Sequence, residues 1–236
     1  MGSGSRGFRP YVLIAVVAIV IALVGFWANY YSHVLAGTVT TAPIIQVHGA
    51  IFLGWLLLVT TQATLAARGR MALHMQTGKV VMAYGVGVVV MGTIVSFAAF
   101  GIHLGEGAET RARAQLFVGL TDMLTFAPFL AAAWIYRDRP EIHKRLIVVA
   151  TTILLIAPAH RMHWFLGMPP PVVPVLAIWL TPIWIGMIYD GVTRRTVHPV
   201  YLLGILGVVF QKFGRKYLGM TDAWDEFVRW VTPFFT

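Results

Sequence analysis

The sequence predicts an all-α fold: a polytopic transmembrane helical bundle with about seven spans and a C-terminal interfacial helix, forming one membrane domain over residues 1–236. Hydrophobic residues make up 58% of the chain and charged residues only 11%, and the mean hydropathy is +0.76. This composition is too apolar for a soluble globular protein. Apolar runs close to the roughly 20 residues that cross a bilayer recur along the chain, and short basic clusters separate them.

The first apolar run, residues 11–30, follows two arginines but has no small-residue cleavage site, so it is predicted to be a membrane helix and not a signal peptide. Further spans are predicted at residues 44–67, 80–103, 116–136, 146–165 and 172–189. A seventh, at 197–213, is short and is followed at once by basic residues, so it crosses incompletely or obliquely.

The end of the chain has the pattern of an amphipathic helix over residues 221–232. One face carries Trp224, Phe227, Val228 and Val231, and the other carries Asp222, Asp225, Glu226 and Arg229. This pattern is typical of a helix that lies in the membrane interface, as an anchor or lid without chemistry of its own.

The formal net charge is +9, yet the basic residues stand in loops between apolar segments and not on one continuous soluble face. We therefore expect contact with lipid and no nucleic acid. Basic residues are abundant in alternate loops, starting with the N-terminus, whereas the early loops on the other side hold only Arg111 and Arg113. This asymmetry predicts a cytoplasmic N-terminus in a bacterial inner membrane.

The chain contains no cysteine, which excludes disulfides, thiolate metal sites and thiol nucleophiles. A metal or haem would need His, Met or carboxylate ligands. No nucleophile elbow, phosphate-binding loop or dinucleotide fingerprint occurs. Any enzymatic role, as a membrane oxidoreductase, depends on a bound cofactor.

A polar stripe runs along the second predicted span. His48, Trp55 and Gln62 are seven residues apart, so successive members are offset by only about 20° around a helix. A histidine and a glutamine facing lipid would be costly, so this stripe should face other helices. In the third span Gly78, Gly85 and Gly92 follow the same interval, which indicates either close helix packing or a groove for a flat macrocycle.

A cluster of ionisable side chains is predicted near the outer surface. His160 and His163 share one face of the fifth span, and Arg161 points elsewhere. Pro158 disrupts the preceding turn and leaves the carbonyl of Leu154 in need of a partner. Three residues of other spans reach a similar depth: His48, His103 and Asp122. Asp122 either pairs with Arg161 or a hydroxyl, or serves as a proton carrier or acceptor for a ligating histidine.

A second, looser group lies at the inner face. His74, His143 and His198 each stand beside basic residues near the start of a helix, where lipid headgroup contact explains them. His143 and His160 are 17 positions apart, about 25 Å along a helix, which is the spacing of two sites on opposite sides of a bilayer.

The segments QATLAARGRMALHMQTGKVVM (62–82) and RPEIHKRLIVVATTILLIAPAHR (139–161) resemble a widespread family of bacterial polytopic membrane proteins with paired His-basic loop motifs. The resemblance covers most of the chain, including HPVYLLG and TDAW near its end. It implies a shared fold and brings no established chemistry. The histidines at both membrane faces also look like those of the transmembrane dihaem b-type cytochromes, without a diagnostic motif.

The leading functional hypothesis is a haem b protein that passes electrons between a quinone or small reductant and an acceptor. The ligands would be His48 with His160 or His163, with His103 in reserve. Arg161 would contact a haem propionate, and Asp122, Gln62 and Trp55 would support the ligands. One alternative is copper, zinc or iron held by His48, His160 and His163; another is an accessory subunit of a larger membrane complex or a small-molecule carrier.

Overall fold

The computed structural model of the protein describes residues 9–167 and 172–235. This part of the chain is helical, with no strand, as predicted. The α-helices are α1 (Arg9–Phe26), α2 (Ser32–Ala36), α3 (Pro43–Ala67), α4 (Met71–Gly105), α5 (Glu109–Ile135), α6 (Pro140–Ile153), α7 (Ile156–Phe165), α8 (Val172–Arg194), α9 (Pro199–Val209), α10 (Arg215–Leu218) and α11 (Asp222–Val231). Single π-helical turns, Trp27–Tyr31 and Phe210–Gly214, join α1 to α2 and α9 to α10.

Five helical stretches of the described chain are long and apolar enough to cross a membrane. They are Arg9–Ala36, Pro43–Ala67, Met71–Gly105, Glu109–Ile135 and Val173–Arg194. The bent pair α6 and α7 makes a sixth if it counts as one span, and Pro199–Gly214 is a shorter apolar helix. By the length and composition of these helices, the chain is a multi-pass membrane protein.

The span predicted at residues 146–165 is broken. α6 and α7 meet at a bend of 54°, four residues before Pro158, which has no N–H to donate to the carbonyl of Leu154. A tryptophan compensates for the interrupted helix: Nε1 of the buried Trp179 donates a 2.7 Å hydrogen bond to the carbonyl oxygen of Thr152. In a membrane such a carbonyl needs a protein partner, because lipid tails offer none.

The helices alternate in direction, and α1 keeps one side exposed, at Leu13, Val16 and Val20. α1 packs against α3, α6, α7 and α8, while α3, α4, α5 and α6 pack in sequence and α9 lies on α6 and α8. The start of α1, the α3–α4, α5–α6 and α8–α9 connections therefore meet at one end. We call it the basic end, after Arg68, Arg70, Arg137, Arg139, Arg194 and Arg195 in these connections. The other end, where α4 finishes and α5 begins, is the opposite end.

The C-terminal helix α11 lies at the opposite end. Val228 and Val231 are buried against Phe100 and Leu116, whereas Trp230 on another side is 65% exposed. The apolar face predicted from the sequence therefore packs partly on α4 and α5.

Candidate cofactor site

A cavity of about 510 Å³ opens at the basic end between α1, α3, α4 and α6. Its deep wall is apolar and includes Ile14, Trp55 and Val81. Towards its mouth the lining becomes polar, with two histidines, a glutamine and several charged side chains. A mostly apolar concavity with a few converging polar groups, in the size range of about 300–1,000 Å³, is the usual form of a small-molecule or cofactor site.

The two histidines are His74, one turn into α4, and His143, near the start of α6. Nδ1 of His74 is 3.2 Å from the carbonyl oxygen of Gln62, and Nδ1 of His143 is 2.8 Å from that of Ala133. The two ring centroids are 6.5 Å apart and the ring planes are nearly perpendicular. Two different helices thus bring two imidazoles to one side of the cavity.

These hydrogen bonds decide which ring nitrogen is available. A carbonyl oxygen can only accept, so Nδ1 of each ring carries the proton and Nε2 of the neutral imidazole carries a lone pair. Within residues 9–167 and 172–235, neither Nε2 has a hydrogen-bond partner. An imidazole held by an Nδ1–H···O=C bond is the usual arrangement of a metal-ligating histidine, because that bond fixes the tautomer and the ring orientation.

Gln62 adds a third acceptor to the same cavity. Its side chain is only 8% exposed, and its Nε2 donates a 2.7 Å hydrogen bond to Oγ1 of Thr77. Oε1 is buried and has no partner in the described chain. A buried polar atom without a partner is costly, so this oxygen indicates a place for a ligand group that donates a hydrogen bond.

Positive charge surrounds the mouth of the cavity. Lys79, Arg137 and Lys144 line it, against one lining carboxylate, Asp138. Nζ of Lys144 donates a 2.8 Å hydrogen bond to Glu141 and Arg137 stacks on a neighbouring indole. An anionic group at the cavity mouth would therefore meet three cations, of which Lys144 and Arg137 are positioned by these contacts.

Beside the cavity, a buried ion-pair network joins α6 to α8. Arg145 donates from Nε and Nη2 to the two carboxylate oxygens of Asp190, at 2.9 and 2.5 Å, and both side chains are shielded from solvent. Glu141 accepts from Arg145 at 2.8 Å and from Arg194 at 2.6 Å. The guanidinium of Arg145 and the carboxylate of Asp190 are paired, so this network holds α6 and α8 together.

The polar stripe predicted on the second span has two well-buried members. Trp55 is fully buried and its Nε1 donates to Oγ1 of Thr151 at 3.3 Å, and Gln62 lines the cavity. His48 stacks on Phe52, with ring centroids 4.1 Å apart, and its Nδ1 is buried without a partner in the described chain. His48 thus keeps an available ring nitrogen, as a ligand requires.

The other predicted outer residues do not meet His48 in any described hydrogen bond or ring contact. His103 is engaged at both nitrogens, Nδ1 with Glu106 at 2.8 Å and Nε2 with Gln115 at 2.9 Å, so neither nitrogen can bind a metal in this arrangement. Nε2 of His160 accepts from Nζ of Lys212 at 3.2 Å. The side chain of His163 lies outside the described residues.

Asp122 and Arg161 are separated. Asp122 accepts hydrogen bonds from Arg215 at 2.7 Å and Gln211 at 2.8 Å, so the expected pairing with Arg161 is wrong. The Arg161 guanidinium instead lies 4.9 Å over the ring of Phe26. Arg215 follows the last predicted span, and local sequence patterns do not indicate that this segment packs beside Asp122. Among the described residues no group of three or more His, Asp or Glu side chains is arranged to hold a metal ion alone.

The glycines predicted on α4 were expected to allow either close helix packing or a groove for a macrocycle, and the structure assigns different surroundings to different members. A side chain at Gly85 would collide with Leu130 and Trp55, and one at Gly92 with Met123, so both serve close packing. Gly78 lines the cavity and faces Oε1 of Gln62.

From the sequence, His74 and His143 are inner-face candidates whose expected role is contact with lipid headgroups. Their hydrogen bonds to backbone carbonyls instead fix both rings at the cavity and leave each Nε2 available to a ligand. One feature of the sequence indicates that the two histidines could meet: both lie, with Gln62, at the same end of neighbouring spans. Comparison with protein-family models, curated proteins and solved structures finds no match for this chain.

Proposed function

We propose that this protein is an integral membrane haem protein of electron transfer and that His74 and His143 would hold a haem b at the basic end. The observation that carries the proposal is the pair of imidazoles from different helices, each held through Nδ1 by a backbone carbonyl, on one side of a cavity of about 510 Å³. A metal holds an imidazole nitrogen at about 2.0–2.1 Å, so rings with centroids 6.5 Å apart are close enough to share one ion.

The other residues that line the cavity are also suited to a haem. The apolar deep wall would exclude water from a macrocycle, and Lys79, Arg137 and Lys144 would contact its carboxylates. When bound, haem supplies one-electron chemistry, and burial with second-shell hydrogen bonds sets its potential. The carbonyls of Gln62 and Ala133 would orient the two ligands. Copper, zinc or iron is an alternative occupant of the same pair.

The predicted outer site is part of the proposal as a second haem position. His48, with its buried Nδ1 available, is the ligand that the contacts support there. His160 or His163 would be its partner, and Arg161 would face a propionate. The Lys/Arg asymmetry of the loops supports placing the basic end in the cytoplasm of a bacterium, and the exposed indole of Trp230 supports an interfacial position for α11.

An absorption spectrum of detergent-purified protein, oxidised and reduced, tests the haem proposal. We expect a Soret band that is lost in His74→Ala and in His143→Ala, returns when free imidazole fills the cavity, and is unchanged in His33→Ala, which removes a histidine outside the cavity lining. His48→Ala and His160→Ala test the second position. A colourless protein from haem-replete cells overturns the proposal, and elemental analysis then decides between another metal and an accessory or carrier role.

A second function is favoured by Gln62. Oε1 of Gln62 and Nε2 of both histidines are all acceptors, so the cavity would also take a hydroquinone that donates its two hydroxyl protons. A colourless protein that binds a ubiquinol analogue, and loses it in Gln62→Leu but not in Gln76→Leu, would support this function over haem.

A further inference from the structure

A second cavity, of about 410 Å³, lies at the opposite end of the bundle, between the first turns of α5 and the chain around α10 and α11. Three cations line it, Arg113, Lys212 and Arg215, and no carboxylate does among the described residues. Thr110 contributes a hydroxyl to the lining, and Phe117 and Trp224 contribute aromatic rings. The cavity therefore presents positive charge and hydrogen-bond donors beside an apolar wall.

Each of the three cations also donates a hydrogen bond to another side chain of the protein. Arg113 donates from Nη2 to Asp225, and Arg215 donates from Nη1 to Asp122 at 2.7 Å. Nζ of Lys212 donates to Nε2 of His160 at 3.2 Å. Each arginine uses one nitrogen in these ion pairs, and a guanidinium has five N–H donors, so donors remain for a ligand. The two carboxylates leave the three cations with one surplus positive charge.

The position of the cavity indicates the kind of anion. Phe117 and Trp224 contact each other edge to face, with centroids 4.7 Å apart, and tryptophan is enriched at the level of lipid headgroups. α11 places its apolar side chains on α4 and α5 next to the cavity. With α11 in the membrane interface, as proposed above, a ligand that enters here comes from the boundary between lipid and water.

We propose that this cavity binds the phosphate of an anionic phospholipid, with Arg113, Lys212 and Arg215 contacting the phosphate oxygens and the aromatic pair contacting the glycerol region. Arginine forks match phosphate geometry. Basic pockets between membrane helices on the cytoplasmic side are known to hold anionic headgroups, and this cavity has the same chemistry at the opposite end. A soluble phosphate ester shares this chemistry and is the other source. The site is separate from the proposed haem cavity at the basic end, and through Lys212 it adjoins His160, the candidate ligand of the second haem position.

Native mass spectrometry of the delipidated full-length protein tests the proposal with phosphatidylglycerol, phosphatidylcholine and glycerol phosphate as probes. We expect phosphatidylglycerol to bind in preference to phosphatidylcholine. Lys212→Gln and Arg113→Gln should each weaken it about fivefold, as expected for about 1 kcal/mol per basic residue near a lipid surface. Arg111→Gln removes the same charge two residues from Arg113, outside the cavity lining, and should leave binding within about twofold of the parent protein.

Two further variants separate the site from its alternatives. Arg113→Gln combined with Asp225→Asn keeps the net charge of the protein, and this double variant should still bind phosphatidylglycerol weakly. Binding restored to the level of the parent would mean that only overall charge matters, and it would overturn the site. Colourless His74→Ala should bind lipid like the parent, since a haem carboxylate is not the anion. Equal binding of both lipids, or equal weakening by Arg111→Gln, overturns the proposal. Glycerol phosphate binding of equal strength that depends on Lys212 overturns the lipid source and supports a soluble phosphate.

Discussion

Arg145 of α6 makes a two-pronged ion pair with Asp190 of α8 in a region where both side chains are shielded from solvent. Removing one partner from such a pair leaves an unpaired buried charge. Replacing both partners with apolar residues of similar volume removes the charges together. We therefore expect Arg145→Met to lower the free energy of unfolding in detergent by about 3–5 kcal/mol.

The matched variant for this pair is Arg145→Met with Asp190→Leu, which should recover most of the lost stability. Arg194→Met removes a cation of the same network whose side chain is 40% exposed, and it should change stability by less than about 1 kcal/mol. If the double variant is as unstable as the single one, the pair is not the source of the loss.

Gly25 of α1 lies directly against the backbone of Pro158 in α7. A methyl group there would meet backbone atoms that cannot rotate away, so Gly25→Ala should force the helices apart and destabilise the protein by about 1–3 kcal/mol. Gly87→Ala is the control, because Gly87 is helical with open space around it and alanine favours a helix by up to about 1 kcal/mol. Thermal unfolding should move in opposite directions for the two variants.

Trp179 satisfies the carbonyl of Thr152 beside the helix break. Trp179→Phe keeps an aromatic ring but removes this donor. The carbonyl oxygen retains its 3.0 Å hydrogen bond from the backbone N–H of Leu155, so the loss of one hydrogen bond should cost about 0.5–1.5 kcal/mol. Hydrogen exchange around residues 152–158 should rise in this variant and stay unchanged in Trp230→Phe, whose side chain is largely exposed. Unchanged exchange in Trp179→Phe would show that the indole bond does not stabilise the bend.

His198 begins α9, where its Nδ1 accepts a 3.3 Å hydrogen bond from the backbone N–H of Val200. Burial, followed by the nearby positive charge of Arg145, lowers the pKa of His198 below its usual value. The unfolded chain therefore takes up this proton more readily, so the contribution of His198 to stability is present above about pH 6.5 and is lost as the pH falls through the folded-state pKa. Asparagine also caps helices and does not titrate.

The unfolding free energy of the His198→Asn variant should fall less than that of the parent between pH 7.5 and 5.5, while the two agree at the higher pH. Because other histidines titrate in the same window, the measured quantity is the difference between the two proteins. Parallel curves would exclude His198 as a contributor.

Local sequence patterns determined which segments are helical and which faces are apolar. The seven-residue spacing from Trp55 to Gln62 sufficed to place both side chains towards the interior, because helix periodicity alone fixes a common face. Pro158 likewise marked the position of the break in α6–α7, since a missing backbone donor is a local property.

Only the tertiary structure decided which polar side chains meet. The pairing of His74 with His143, and of Asp122 with Arg215 and not Arg161, joins residues 69 and 93 positions apart. Those encounters depend on the order and rotation of packed helices, and in a uniformly apolar chain many arrangements bury similar side chains at similar depth. The position of each ionisable group along its helix is a local property of the sequence, whereas helix packing selected its partner.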